Sequence, residues 1–157
     1  MNKVVVAGNE FDLRRGVDFI GVTVCFVVHD GNGNILLQKR GQGARDERGN
    51  WDIGGGAVEF GETLDEAVRR EIREELLVDP VSVEFLAAYE AHRDNSGVLT
   101  HWIALLHAVK VDPKKVRIGE PEKIEQIDWF TSDTLPSPLH SQFYKSFDIA
   151  KERGHVS

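Results

Sequence analysis

Glu71, Glu74 and Glu75 carry the chemistry-bearing pattern of this chain, because they fall on one side of a helix-forming segment that also has an apolar face. At 100° per residue, Leu64, Val68, Ile72 and Leu76 occupy an arc roughly 120° wide. Glu75 falls inside that arc, Glu71 just outside it, and Glu74 just beyond Ala67. A carboxylate that faces a core loses solvation worth several kcal/mol unless it is paired or bound to a metal. The ordinary explanation of such a charge run is a solvated face interleaved with arginines. It suits Asp65, Glu66, Arg69 and Arg73, but serves Glu71 and Glu75 poorly. Carboxylates spaced i, i+3 and i+4 converge within about 6 Å, and their repulsion raises their pKa values unless a cation compensates. A hard divalent ion with oxygen ligands meets that need, and Mg²⁺ is commonly shared between carboxylates and substrate phosphates. Arg70 stands one turn before Glu74 and beside Glu71, placed to orient either. Gly54, Gly55 and Gly56 precede the helix, where backbone without side chains can approach a ligand closely.

The elements that must position these groups follow from periodicity and turn chemistry. Thr63 and Glu66 form a capping-box signature for the helix, and Pro80 ends its pattern. Phe19 to His29 reads as the first strong strand. Asp30-Gly31-Asn32-Gly33 is its turn and Asn34 to Arg40 its hairpin partner. Gly41 to Asn50 reads as a polar surface loop, and Trp51 to Ile53 as a short strand running into the glycines. Strands are expected at about Val81 to His92, Thr100 to Val111 and Ile124 to Phe130. An amphipathic helix over Gln142 to Lys151 carries Phe143, Phe147 and Ala150 on one side. Hairpin-paired strands with one helix inserted and another following predict a mixed sheet covered by helices.

The 157 residues suit a single domain over 1–157. Hydrophobic residues at 41% and charged residues at 29% exclude a disordered chain. A net charge of −7 argues against a nucleic-acid polymer as partner, since that needs a basic face, but leaves room for a small anionic substrate. The lone Cys25 sits in an apolar stretch with no activating base beside it, and reads as a strand residue rather than a nucleophile. Val4 to Ala7 is too short for a signal-peptide core, and Phe19 to Val28 is too short to span a bilayer as a helix. The expectation is a cytoplasmic protein with no membrane partner.

The same residues resemble a known pattern, the Nudix box G-x5-E-x7-R-E-U-x-E-E-x-G-U, with U an aliphatic residue. Gly56 is followed by Glu62, then by Arg70 and Glu71. Ile72 and Val78 stand at aliphatic positions, and Glu74 and Glu75 form the paired glutamates. Six charged or glycine positions agree, and at about 7% each chance gives on the order of one match in ten million starting points. Trp51-Asp52-Ile53, Val58 to Glu62, Leu36 to Arg40, and Ile127 to Phe130 with Leu135 extend the likeness over about residues 18–153. Two positions depart from the pattern. Leu77 stands where a glycine usually ends the helix with positive φ, predicting a different exit, such as one extra turn before Pro80. Gly54 stands where a proline often precedes the glycine pair, predicting a looser loop.

The resemblance implies an α/β fold, the Nudix α/β/α sandwich with a mixed sheet between helices. It also implies Mg²⁺ (or Mn²⁺)-dependent attack of water on a nucleoside diphosphate linked to a group X. On that reading Glu71, Glu74 and Glu75 are metal ligands, with a carbonyl of Gly55 or Gly56, and Arg70 holds Glu71. Glu59 and Glu62 support the loop and a peripheral metal. The general base is Glu71 itself or lies outside the box, where Glu120, Glu122 and Glu125 are candidates beside their plainer reading as an acidic surface loop. Arg40 is the expected phosphate contact, with Gly54, Gly55 and Phe60 also near substrate. Trp102, Tyr89, His101 or Phe60 are candidates for stacking on a base, set against ordinary packing roles. Likeness leans toward hydrolysis of a nucleoside triphosphate, oxidised purine nucleotides included, to monophosphate and pyrophosphate. Nucleotide sugars or ADP-ribose-type diphosphates, and a sensor that binds without hydrolysis, are the alternatives. A homodimer is compatible with the resemblance.

Overall fold

The computed structural model describes residues 2–157. Its strands are β1 (Asn2–Val6), β2 (Asn9–Leu13), β3 (Gly21–His29), β4 (Ile35–Arg40), β5 (Trp51–Asp52), β6 (Gly54–Ala57), β7 (Ser82–Asn95), β8 (Val98–Lys110) and β9 (Ile124–Phe130). Its helices are α1 (Leu64–Leu76) and α2 (Phe143–Glu152). The main sheet has the order β5-β4-β3-β8-β7, with β6 also on β3 and β9 on β4. Strand β3 runs parallel to β8 and antiparallel to β4 and β6, so the sheet is mixed.

Alternation along β3 divides the core between the two helices. Val24, Phe26 and Val28 pack with Ala67, Val68, Ile72 and Leu76 of α1. Val27 packs on the other face with Ile35, Leu37, Phe143, Phe147 and Ala150, the last three from α2. Each fully buried Val, Ile, Leu or Phe contributes about 1.5–3 kcal/mol, and the α/β/α sandwich satisfies both faces of the sheet at once. The capping box of α1 forms as expected, with the Thr63 hydroxyl accepting from Glu66 N–H and the Glu66 carboxylate accepting from Thr63 N–H.

Three expectations need correction. First, the expected β3–β4 hairpin forms but is short: it pairs only at Val28↔Leu36 and His29↔Ile35, after which β4 pairs with β5 on that side, while β9 lies along β4 from Ile35 to Arg40. Second, the glycines are not a loop: β6 lies antiparallel on β3, from Phe26↔Gly54 to Thr23↔Ala57. Gly54 is buried against the ring of Phe26, so nothing is loosened by the absence of proline. Third, the helix gains no extra turn. It ends at Leu76, and Leu77 itself takes the left-handed conformation (φ 52°, ψ 35°), donating its N–H to the Arg73 carbonyl. A leucine pays roughly 1–2 kcal/mol for a geometry that glycine adopts freely, while Arg117 N–H and Gly119 N–H close the helix end by donating to the Leu76 and Glu75 carbonyls. Ordered structure also lies outside the stretch 18–153 that carries the resemblance. The N-terminal β1–β2 hairpin turns on Ala7 (φ 49°) and Gly8 (φ 80°), and Val156 is buried as Ser157 N–H donates to the Gly33 carbonyl.

Candidate active site

The inward side of α1 meets β6 where β6 has no side chains. An added Cβ at Gly56 would collide with the Glu71 carboxylate, and one at Gly54 would lie 2.5 Å from a Glu75 carboxylate oxygen. The glycines therefore make room for two carboxylates that the helix turns toward the sheet. Glu71 and Glu75 are buried with Ala67, Val68, Ile72 and Leu76, whereas Glu74 is exposed.

Each buried carboxylate has a distinct set of partners. Arg70 donates to Glu71 at 2.6 Å, to Glu62 through two nitrogens at 2.6 and 3.0 Å, and to the Ala57 carbonyl at 3.1 Å. It reaches Glu74 at 3.4 Å. Glu62 also accepts from Glu59 N–H at 2.7 Å, so Arg70 and Glu62 fasten the loop between β6 and α1 to the helix. The Glu59 side chain is exposed. Glu75 accepts from the Gln38 amide at 3.1 Å and from Gly55 N–H. The Thr23 hydroxyl donates to the Gly56 carbonyl at 2.9 Å.

These contacts do not fully compensate burial. Loss of solvation pushes the Glu75 carboxyl up to about 8, with the charges of Glu71 and Glu120 adding to the effect. Burial also raises Glu71, opposed by Arg70 and reinforced by Glu74 and Glu120. Two adjacent carboxyls that resist ionisation are the electrostatic mark of a site prepared for a cation.

Glu120 is the outside-box candidate that the fold brings to this pair. Arg117 N–H donates to the Leu76 carbonyl and Gly119 N–H to the Glu75 carbonyl, closing the unsatisfied end of α1. Gly119 comes so near the helix backbone that any side chain would strike the Glu74 carbonyl. Glu120 is held by Lys123 at 3.3 Å. Glu122 is exposed, its carbonyl accepting from Gly43 N–H, and Glu125 pairs with Lys39 at 3.3 Å on the surface.

The other expected residues lie as follows. Arg40 donates to the carbonyl and carboxylate of Asp46, both at 2.8 Å, and braces the loop that follows β4. Phe60 is fully exposed. Trp102 packs over Gly16 and Gly21 with the Arg45 guanidinium 5.2 Å from its ring. The Tyr89 hydroxyl is 2.7 Å from Ser146 Oγ on the α2 side. Cys25 lies in β3, its thiol pushed up to about 12 by burial, so it offers no nucleophile. Gln38 was not expected. Its signal was a buried amide at the strand position where alternation from Leu36 calls for an apolar residue.

A second polar centre holds the Gly41 to Asn50 loop. Arg93 donates to Asp46 at 2.7 Å and to Glu47, while Ser141 N–H and His140 Nε2 meet Glu47 at 2.9 and 2.8 Å. His140 is the leading cause that keeps the Asp46 carboxyl well below its ordinary range, and Arg93 and Arg40 add to it against burial. Beside this network opens a cavity of about 840 Å³ whose lining includes Arg45, Arg48, Arg93 and Ser141 but none of the α1 carboxylates. Among the described residues, no helix is long and apolar enough to cross a membrane.

Comparison with known proteins agrees with this geometry. The chain is 47% identical over 119 residues to a nucleoside triphosphatase NudI from Enterobacter, covering 71% of this chain and 82% of that protein. It is 30% identical to an oxidized purine nucleoside triphosphate hydrolase from Danio rerio, over 73% of this chain and 68% of that one. An uncharacterized Nudix hydrolase from Yersinia pestis is 32% identical over 69% of this chain, and there the match spans only 57% of the relative's length. Among solved structures, a MutT NUDIX hydrolase from Burkholderia pseudomallei superposes with a TM-score of 0.72 at 28% identity, covering 88% of this chain and 99% of that one. The NUDIX domain pattern itself matches residues 20–148. The chain belongs to the NUDIX domain family.

Proposed function

We propose that this protein hydrolyses a nucleoside triphosphate to the monophosphate and pyrophosphate, with Mg²⁺ as its metal. The observation that carries the reading is the pair Glu71 and Glu75, buried side by side over side-chain-free backbone and reluctant to ionise without a cation. Similarity to relatives named as nucleoside triphosphate hydrolases supports the substrate class.

The donor set fits the metal, since carboxylates and backbone carbonyls are the oxygen ligands that Mg²⁺ prefers. Glu71 and Glu75 would hold it, with Glu74 and Glu120 at the margin. When bound, it neutralises phosphate charge and acidifies water. The chain's own residues supply the rest. Gln38 and Gly55 N–H fix Glu75, while Arg70 fixes Glu71 and through Glu62 fastens the neighbouring loop. Glu120 is the candidate to accept a proton from the attacking water, supported by its charge acting on both Glu71 and Glu75. Lys123 pairs with it at 3.3 Å, and the docking of Gly119 on the α1 end keeps it in place.

The test is a panel of canonical and oxidised nucleoside triphosphates, nucleotide sugars and dinucleotides, with and without Mg²⁺. Pyrophosphate, phosphate and monophosphate are measured separately. Metal-dependent release of pyrophosphate with monophosphate is expected. Release of a sugar phosphate with monophosphate would reassign the substrate, and binding without turnover on every compound would make the protein a sensor.

A further inference from the structure

Strands β7 and β8 continue to a two-residue turn in which both Ser96 (φ 56°) and Gly97 (φ 87°) have positive φ. Turns of this kind match the twist of the flanking strands and fix the register of a hairpin. The register here sets His92 directly opposite His101. Glu90, two residues before His92, shares its face because side chains alternate along a strand.

The three side chains converge. The two imidazole rings stand 4.1 Å apart between centroids at 30°, and His92 Nε2 lies 3.4 Å from a Glu90 carboxylate oxygen. One ligand atom from each residue lies within 4.8 Å of the others. A tetrahedral zinc ion with bonds of about 2.0–2.1 Å needs ligand atoms roughly 3.3 Å apart. The His92–Glu90 edge, at 3.4 Å, already has that length, and the other edges are no longer than 4.8 Å. His101 Nε2 is moreover a buried nitrogen without a hydrogen-bond partner, one of two such side-chain atoms among the described residues. Leaving a buried polar atom unsatisfied costs about 1–3 kcal/mol, which an ion coordinated at Nε2 would recover.

The geometry points to a second metal site, formed by Glu90, His92 and His101, that takes a transition-metal ion of the zinc type. Two imidazoles and a carboxylate suit Zn²⁺ and its neighbours and poorly suit Mg²⁺, which prefers oxygen alone. Three protein ligands leave a fourth position for water or a small anion. His92 and His101 also line a cavity of about 300 Å³, whose opposite wall is the segment Gly16 to Ile20. That segment is tied to the site because His101 N–H donates to the Gly16 carbonyl at 2.8 Å. The other convergent group, Asp46, Glu47 and His140, is a poorer host, since Arg40 and Arg93 already neutralise its carboxylates.

The test is calorimetric titration of the chelator-treated full chain with ZnCl₂ in excess MgCl₂, followed in parallel by the visible absorption of Co²⁺. Wild type is expected to bind one Zn²⁺ with a micromolar Kd and to give the intense bands of four-coordinate cobalt. His92→Ala is expected to weaken binding at least tenfold, and the His92→Ala/His101→Ala pair to abolish it. The His92 side chain is 62% exposed, so its removal spares the fold, which circular dichroism verifies. Glu75→Gln should leave the Zn²⁺ stoichiometry unchanged, separating this site from the α1 carboxylates. No Zn²⁺ binding in Mg²⁺ buffer, or equal binding by wild type and His92→Ala, would overturn the proposal.

Discussion

Replacing Glu75 with glutamine keeps the shape of the buried side chain and removes its ability to ionise, which isolates the electrostatic cost of the site. In the metal-free protein, burial raises this carboxyl from an ordinary 4.5 to about 8. Between those two values the folded state holds a proton that the unfolded chain has released. The stability this group confers is therefore complete below about pH 4.5 and is lost progressively as pH rises to 8. At 1.36 kcal/mol per unit, the span of roughly 3.5 units corresponds to a loss on the order of 5 kcal/mol, a large fraction of a typical domain's stability. The Gln38 amide donates to Glu75 and is left facing an amide in the variant, which offers an oxygen in one orientation. The assay is urea unfolding in EDTA at pH 5.5, 7 and 8.5, for wild type and Glu75→Gln. Wild type is expected to weaken by several kcal/mol relative to the variant across this range, and saturating Mg²⁺ should remove most of the difference. Parallel stability curves in EDTA would refute the reasoning, because they would mean that Glu75 is solvated or already compensated.

The remaining predictions concern activity and the helix end. Glu75→Gln and Glu71→Gln should each lower kcat by several kcal/mol of barrier with Mg²⁺ present, and an unchanged kcat in steady-state assays would remove either residue from the ligand set. Gly56→Ala should displace the Glu71 carboxylate that its methyl would strike, so kcat should fall by a larger factor than thermal stability explains. Glu120→Gln should reduce kcat, whereas Glu125→Gln, which loses only a surface pair with Lys39, should match wild type in the same steady-state assay. Leu77→Gly should raise stability by about 1 kcal/mol through relief of the left-handed backbone, measured by thermal or urea unfolding, with turnover little changed.

The sequence by itself determined the parts of this protein that depend on local periodicity. Thr63, Glu66 and the Leu64–Leu76 repeat specified α1, and the wheel position of Glu75 marked an inward carboxylate because a helix fixes side-chain direction to its spacing. The alternation of β3 and the arc of Phe143, Phe147 and Ala150 specified a sheet covered on both faces. What the wheel left open was what those carboxylates meet. Only tertiary structure decided that the glycines form β6 and clear space for Glu71 and Glu75, since a glycine run signals conformational freedom rather than the pairing it finally adopts. The same holds for Gln38, which reaches Glu75 from 37 residues away, and for Glu120, whose charge acts on Glu75 where Gly119 docks on the end of α1. The left-handed Leu77 was likewise hidden, since the helix end is closed by backbone hydrogen bonds from Arg117 and Gly119, about forty residues further along the chain. Contacts between segments distant in the chain depend on register and on backbone approach, and neither is written in the spacing of residues along one segment.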